Sequence, residues 1–317
     1  MMLRFTYAAW LFCFSLLTFT LKAQDRPFIP IYSGMEIAGD ILFVPGKYVI
    51  DTATWSPIIV EGENIDLNFN DAQLIGCPDS AQPYQYTKTA IICRNAKNIN
   101  IRNLRIARFQ TAILLENCEN VRIENCDISY MYRTLWMQEI STDTTFETSQ
   151  LIPRHAAVMI EQCKDVQLTD NYFNANLNSI QIARTSEILL FNNFFLFNGG
   201  KPIIADSCQH LNVLNNRFDF NFGMVAPSAL ARTTSLSAIA VDGLSGVNKI
   251  AYNGFSNGDA AISIRNTNTP IVLQDNTIEH MRYAGIILND ADAQIFSNQI
   301  DSCRQGIHLS GPCQLEI

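Results

Sequence analysis

The stretch TAILLENCENVRIENCDISY, residues 111–130, reads as an edited copy of TAIICRNAKNINIRNLRIARF, residues 89–109. Further copies follow, each with an apolar pair, a polar turn, a second apolar pair, a small polar corner and a third apolar position. The corner falls at Asn103, Asn125, Asp170, Asn192, Asn215, Tyr252, Asp275 and Ser297. Successive gaps are 22, 45, 22, 23, 37, 23 and 22 residues, so the unit is 22 or 23 residues and two gaps carry insertions. A fixed period of this length is the mark of a solenoid.

Within each unit the apolar positions alternate, as in Val121 and Ile123, Val166 and Leu168, or Leu211 and Val213. A period of two predicts strands rather than a helical pair. Three short strands with three turns consume about 22 residues, which is one coil of a parallel β-helix, and coils stack at about 4.8 Å. Asn suits the corner because a tight turn between two strands needs a left-handed residue, which Asn tolerates. Stacked Asn side chains can also bond to one another up the column. Similar sequence in neighbouring coils is what lets them present matching inward side chains, so repeated residues are expected to be scaffold.

The chain has 317 residues, 48% apolar and 16% charged, and can bury a large core. Its first residues place Arg4 before an apolar run from Phe5 to Leu21 with Ala23 shortly after, the layout of a secretory signal peptide over residues 1–23. The rival is an uncleaved anchor, since the run approaches the roughly 18 apolar residues that span a bilayer. Cleavage leaves 20 basic against 30 acidic residues, a net charge of −10. That excludes nucleic acid and anionic membrane as expected partners. No second long apolar run follows, so no membrane span is expected after cleavage, and the location is read as secreted, periplasmic or cell-surface. Eight cysteines remain, and Cys118, Cys163 and Cys208 recur at one repeat position, which suggests a stacked column more than bridges. No Cys-x-x-Cys occurs, which argues against zinc.

On the Asn-cornered repeat, with ILFVPGKYVI at 41–50 and IDLNFNDAQLIG at 65–76 as first coils, the chain resembles the right-handed parallel β-helix proteins of the pectin-lyase-like superfamily over residues 39–317. The resemblance implies an all-β, single-stranded right-handed parallel β-helix whose strands run PB1, PB2, the Asn corner and PB3, followed by a variable loop. It also implies carbohydrate-binding and sugar-hydrolysis repeats, with polysaccharide as partner and active sites on the outer face of PB1. The domain reading is a signal peptide 1–23, a cap 24–40, and a β-helix 41–317 with insertions 132–155 and 221–237. The polygalacturonase motifs Asn-Thr-Asp, Asp-Asp, Gly-His-Gly and Arg-Ile-Lys are absent, as is the Asp-Pro-His of alginate epimerases. Copper-delivery β-helix proteins are further relatives, but four His and scattered Met form no ligand cluster in the sequence. No cofactor is expected beyond a calcium ion.

Alternation places Ile113 and Leu115 inward and Leu114 and Glu116 outward. The first outward file is then Ile92, Leu114, Met159, Gln181, Ile204, Ala240, Ser263, Ile287 and His308. The second is Arg94, Glu116, Glu161, Ala183, Asp206, Asp242, Arg265, Asn289 and Ser310. Asp206 and Asp242 are expected on adjacent coils, where two carboxylates could serve as acid and base or bind a cation such as calcium. Arg265, one coil on, could neutralise a uronate carboxylate or pair with Asp242. These three are the catalytic candidates, and Glu161, Ser263, Asn289, His155 and Arg282 are the substrate-binding ones.

Each has a plainer reading: a strand-end acid as solvated surface, His155 as a loop residue satisfied by a backbone carbonyl, and Arg282 as a rim contact without a defined partner. The apolar first file is expected to be covered by Leu135, Trp136, Phe146, Leu151 and Ile152 of the first insertion. The final segment, GIHLSGPCQLEI, begins another coil and stops without a cap, which points to a missing segment or a partner at that end. The function read from these features is a secreted β-helix protein that binds or cleaves polysaccharide, of lyase or glycoside hydrolase type; the alternative is a non-catalytic carbohydrate-binding or surface, structural β-helix protein.

Overall fold

The computed structural model describes residues 28–50, 54–78, 80–132, 155–220, 237–267 and 269–316. The expected signal peptide and most of both insertions, residues 133–154 and 221–236, lie outside the described residues, as does the apolar cover expected of the first insertion. Apart from one 3-10 turn, Pro83–Gln85, the regular structure described is strand.

The coil is three strands. PB1 runs Thr111–Glu116, PB2 runs Glu119–Glu124 and PB3 runs Asp127–Ser129. Each pairs in parallel with its counterpart on the next coil: Ile113 with Val158, Val121 with Val166, Ile128 with Phe173. The chain is therefore a right-handed parallel β-helix, the fold expected from the period. Alternation sets the core, and Ile113, Leu115, Val121, Ile123 and Ile128 are all fully buried. Along PB3, Phe173, Phe195, Phe218 and Phe255 stack with ring centroids 4.6–5.0 Å apart and planes within 6° of parallel. Such pairs add about 0.5–1.5 kcal/mol each beyond their burial.

All eight corner residues have φ between 50° and 60°, the left-handed conformation expected of them. Some corner amides bond up the column, Asn125 Nδ2 donating to Asn103 Oδ1 at 2.7 Å and Asn215 to Asn192 at 3.2 Å. The stronger ladder lies one residue later and indoors. Asn171, Asn193, Asn216, Asn253 and Asn276 are 1–2% exposed. Each Oδ1 accepts the backbone N–H of the corresponding residue on the preceding coil at 2.8–3.0 Å, beginning with Cys126. The ladder answers the fold's main polar problem: a buried corner whose N–H groups point away from any strand.

Cysteine solves a lesser version of it at the PB1–PB2 turn. Cys118, Cys163 and Cys208 each donate S–H to the carbonyl two residues back at 3.2–3.3 Å, as the Thr185 hydroxyl does to Ala183 in the same column. All eight described cysteines are free thiols, so the column reading holds.

Candidate functional site

Both outward files stand as the alternation predicts. Asp206 pairs with Asp242, Asp242 with Arg265, Arg265 with Asn289 and Asn289 with Ser310. Alongside runs Ile204, Ala240, Ser263, Ile287 and His308. Between Ile204 and Ile287 the floor of this file is two small side chains, Ala240 and Ser263. The charged file runs beside it.

Asp206 and Asp242 are stacked but do not share a proton through a direct hydrogen bond. Asp206 Oδ1 accepts from its neighbour Ser207 Oγ at 2.9 Å, and Asp242 Oδ1 accepts from Asn266 Nδ2 at 2.8 Å. Both carboxylates and Arg265 are exposed. Arg265 is the register neighbour of Asp242, with no ion pair between them among the described residues.

Lys201 lies outside both files. It precedes the PB1 strand Ile203–Asp206, and its backbone N–H donates to Asn178 Oδ1 at 3.0 Å. Gly200 allows this, because a Cβ there would meet Asn178 Oδ1 at 2.5 Å and the Leu177 carbonyl oxygen at 2.7 Å. Burial pushes the Lys201 ammonium below its ordinary range; the Arg265 charge pushes the same way and the Asp242 charge opposes both. Alternation does not find Lys201, because alternation follows only the outward strand positions; the usable signal is a lone lysine where the other coils carry Thr89, Thr111, Ala156, Asn178, Ser237, Ala260, Ala284 and Gln305.

The substrate-binding candidates divide. Ser263 sits on the floor beside Arg265. Asn289, with its amide nitrogen toward the last coil, donates to Ser310 Oγ at 3.2 Å and Asp290 Oδ2 at 3.2 Å. Glu161 lies four coils from Arg265 and is ion-paired with Arg184. His155 Nε2 faces Gln110 Nε2 at 3.1 Å and the edge of Tyr132, so a side-chain amide rather than a backbone carbonyl satisfies it. Burial lowers its pKa. Arg282 is not a free rim contact: its guanidinium holds the buried Asp259 carboxylate, 5% exposed, at 2.6 and 2.8 Å. Removing Arg282 would strand the buried Asp259 charge, so Arg282 is committed to the turn.

Metal chemistry finds poor purchase on these residues. Among the described residues no three His, Cys, Asp or Glu side chains gather at one point. Calcium takes about six to eight oxygens, and the stacked pair offers two carboxylates. A soft cation would want converging His, Cys and Met. The four histidines instead lie apart, His155 before PB1, His210 on PB2, His280 after PB3 and His308 on the last PB1 strand. The buried thiols are spent on carbonyls, and burial raises Cys126 to about 12 and Cys208 to about 11. The residues therefore do not fit a calcium or copper centre.

The family model described as periplasmic copper-binding protein (NosD) matches residues 50–229, more than half of the 317. No curated protein matches the chain in sequence. Among solved structures, the chain is similar to the Streptococcus pneumoniae surface protein and adhesin PfbA, at 14% identity and a TM-score of 0.52, covering 86% of this chain and 92% of that one. It is similar to an alginate lyase from Paenibacillus sp. str. FPU-7 at 15% identity and a TM-score of 0.54, covering 92% and 94%. The catalytic domain of a GH87 alpha-1,3-glucanase, solved with tetrasaccharides, aligns at 11% identity and a TM-score of 0.52, over 92% of this chain and 63% of that one. At these identities the likeness is one of fold.

Proposed function

The chain belongs to the periplasmic copper-binding protein (NosD) family, and on that footing we propose that it is an exported β-helix protein that binds polysaccharide along the outer face of PB1, with residues 1–23 as its leader. No helix among the described residues is long and apolar enough to cross a membrane. The family's copper has no fitting ligand set among the described residues, and no step is assigned to it.

The observation that carries the reading is the charged and polar file Asp206, Asp242, Arg265 and Asn289, in unbroken register beside a floor of Ala240 and Ser263. A row of fixed donors and acceptors at about 4.8 Å spacing suits an extended chain of hydroxyls. The solved relatives that act on alginate and alpha-1,3-glucan support a sugar ligand, and the adhesin supports a surface role. Binding without cleavage fits the two carboxylates best, since each is exposed and held by its own donor.

Cleavage is the second reading, favoured by the stacking of those two acids on adjacent coils. In it Asp206 and Asp242 divide the roles of acid and base and Arg265 steadies charge on the sugar. A glycan array on the full chain, followed by product analysis on the positives, tests both. Retention of a polysaccharide that weakens in Asp242→Ala, without new chain ends, supports binding. New chain ends abolished by Asp242→Ala replace it with cleavage. Retention of no glycan overturns the proposal.

A further inference from the structure

At the turn between PB1 and PB2 one column runs Ala96, Cys118, Cys163, Thr185, Cys208 and Leu244, coil by coil. Only one step of it sets thiol against thiol. Glu119 pairs in register with Lys164, and Lys164 N–H donates to Cys118 O at 2.9 Å, so Cys118 and Cys163 are opposed on adjacent coils. Cys118 N–H donates to Cys163 Sγ at 3.3 Å, which brings that sulfur against its neighbour's backbone. No other two described cysteines are register neighbours: Cys93 faces Leu115, Cys126 faces Asn171, and Cys208 lies between Thr185 and Leu244.

From this geometry we infer that Cys118 and Cys163 are a site of oxidative cross-linking, where a disulfide staples together the two coils that flank the first insertion. The inference rests on the reading of the chain as exported, because disulfides persist in oxidising compartments. Register neighbours on parallel strands stand about 4.8 Å apart, inside the roughly 4.4–6.8 Å that a disulfide spans between Cα atoms. In the reduced chain both S–H groups point the same way, each toward the carbonyl two residues back at 3.3 Å, so one sulfur must turn to meet the other. That turn leaves little unsatisfied. Glu161 O, on losing the Cys163 donor, still accepts Asn117 N–H at 3.1 Å, and a thiol is a weak donor.

The position in the chain gives the bond its use. Cys118 to Cys163 spans 45 residues, the gap that holds the first insertion, against 22 or 23 in an ordinary coil. Closing a longer loop costs more entropy, and a cross-link there removes that cost from the unfolded chain. The reaction is thiol–disulfide exchange with an external disulfide as oxidant. One protein thiolate attacks it and releases a small thiol, and the second displaces the other half; two protein thiols are oxidised, the external disulfide is reduced to two thiols, and these carry away both protons. Cys118 is the attacking sulfur: the hydrogen bond from Cys163 lowers it to about 7, while Cys163 is raised. The two residues are only 2% and 4% exposed, so exchange takes place as the chain folds or as these coils open.

The test refolds the full chain from denaturant in oxidised glutathione or in dithiothreitol, blocks remaining thiols, and maps unreduced peptides by mass spectrometry. Expected is a Cys118–Cys163 peptide in glutathione only, with a melting temperature about 5 °C or more above that of the reduced chain. Cys118→Ser and Cys163→Ser should lose the link and the gain, whereas Cys208→Ser, in the same column, should keep both. Serine suits these positions, since Thr185 already fills one with a hydroxyl that accepts Cys163 N–H at 3.2 Å. Should a variant fail to fold, the peptide map of the unaltered chain still decides. Absence of the link, a Cys93–Cys118 link in its place, or a linked chain that melts no higher overturns the inference. In a bacterial host expressing residues 1–317, an exported chain with both thiols free also overturns it. A chain that stays in the cytoplasm reduced, yet links on refolding, overturns the export reading and leaves the cross-linking site standing.

Discussion

Replacing Asn216 with alanine isolates what the buried ladder contributes. The Asn216 side chain is 2% exposed and makes five hydrogen bonds. Its Oδ1 accepts from Asn193 N at 2.8 Å and Asn193 Nδ2 at 3.0 Å. Its Nδ2 donates to Leu190 O at 2.9 Å, Leu214 O at 3.0 Å and Asn253 Oδ1 at 3.1 Å. Truncation leaves the Asn193 backbone N–H without its acceptor, and it removes one of two amide donors reaching the chain of Oδ1 atoms. A buried group that loses its partner costs about 1–3 kcal/mol. With at least one N–H orphaned and the Asn193 amide left without its coil-to-coil acceptor, the loss should be about 2–5 kcal/mol, short of global unfolding only if the remaining ladder holds.

The neighbouring corner residue supplies the control. Asn215 has φ 56° but is an exposed link, donating to Asn192 at 3.2 Å. Asn215→Ala should lose about 1–2 kcal/mol, from the strain of a non-glycine residue in that conformation. Asn215→Gly should be close to neutral. Urea unfolding of the three variants, read by far-UV circular dichroism, gives the comparison. If Asn215→Ala proves as damaging as Asn216→Ala, backbone conformation rather than the buried amide holds the corner, and the reasoning fails.

Two further outcomes follow from buried titratable groups. Six of the eight described cysteines are buried and Cys303 and Cys313 are half-buried, so an alkylating reagent at neutral pH should label Cys303 and Cys313 of the reduced chain first and reach the other six only on unfolding; mass spectrometry after a timed quench reads the order, and early labelling of Cys208, whose thiol burial also raises, would contradict it. His155 has a folded pKa below its unfolded value of about 6.5, so the unfolded chain binds more protons there, and the His155 contribution to stability is lost as pH falls from that value through the folded pKa; the decline should be smaller in His155→Gln, and an identical pH profile would refute the assignment.

How far the sequence revealed the molecule depends on which physical relation is asked for. The files on PB1 were readable because parallel pairing carries residue i to residue i plus one period, with insertions as the only correction. Ala183, Asp206 and Asp242 fall into line once the 37-residue gap is recognised. The corner conformation was readable from residue type. The buried ladder was not, although its signature is visible in hindsight: in the pairs Asp170-Asn171, Asn192-Asn193, Asn215-Asn216, Tyr252-Asn253, Asp275-Asn276 and Ser297-Asn298, the second residue is the uniform one. The first tolerates Asp, Tyr or Ser because it faces solvent, while the second must both donate and accept. The Arg282–Asp259 pair spans 23 residues, one period, and could have been found by the same arithmetic applied to turns. Lys201 could not have been placed from alternation, because alternation lapses where the strand gives way to a turn.

Parallel stacking also explains why an unpaired charge is informative in this fold. Every residue on a strand has a register neighbour on each side, so a cation needs no search to meet an acid one coil away. Lys97 and Glu119 show this directly, being both register partners and an ion pair at 3.0 Å. Such exposed pairs each contribute little, on the order of 0–1 kcal/mol, yet they form wherever geometry allows. Arg265 has Asp242 as its register neighbour on one side and Asn289 on the other, and still stands apart from the carboxylate, which is held by Asn266 instead. An Asn266→Ala variant should release that carboxylate. Arg265 should then close on Asp242, an exposed pair contributing on the order of 0–1 kcal/mol, seen as a salt-sensitive part of the thermal stability of Asn266→Ala that is lost when Arg265→Gln is added. An identical salt dependence in the single and double variants would mean that Asn266 plays no part in keeping Arg265 apart from Asp242.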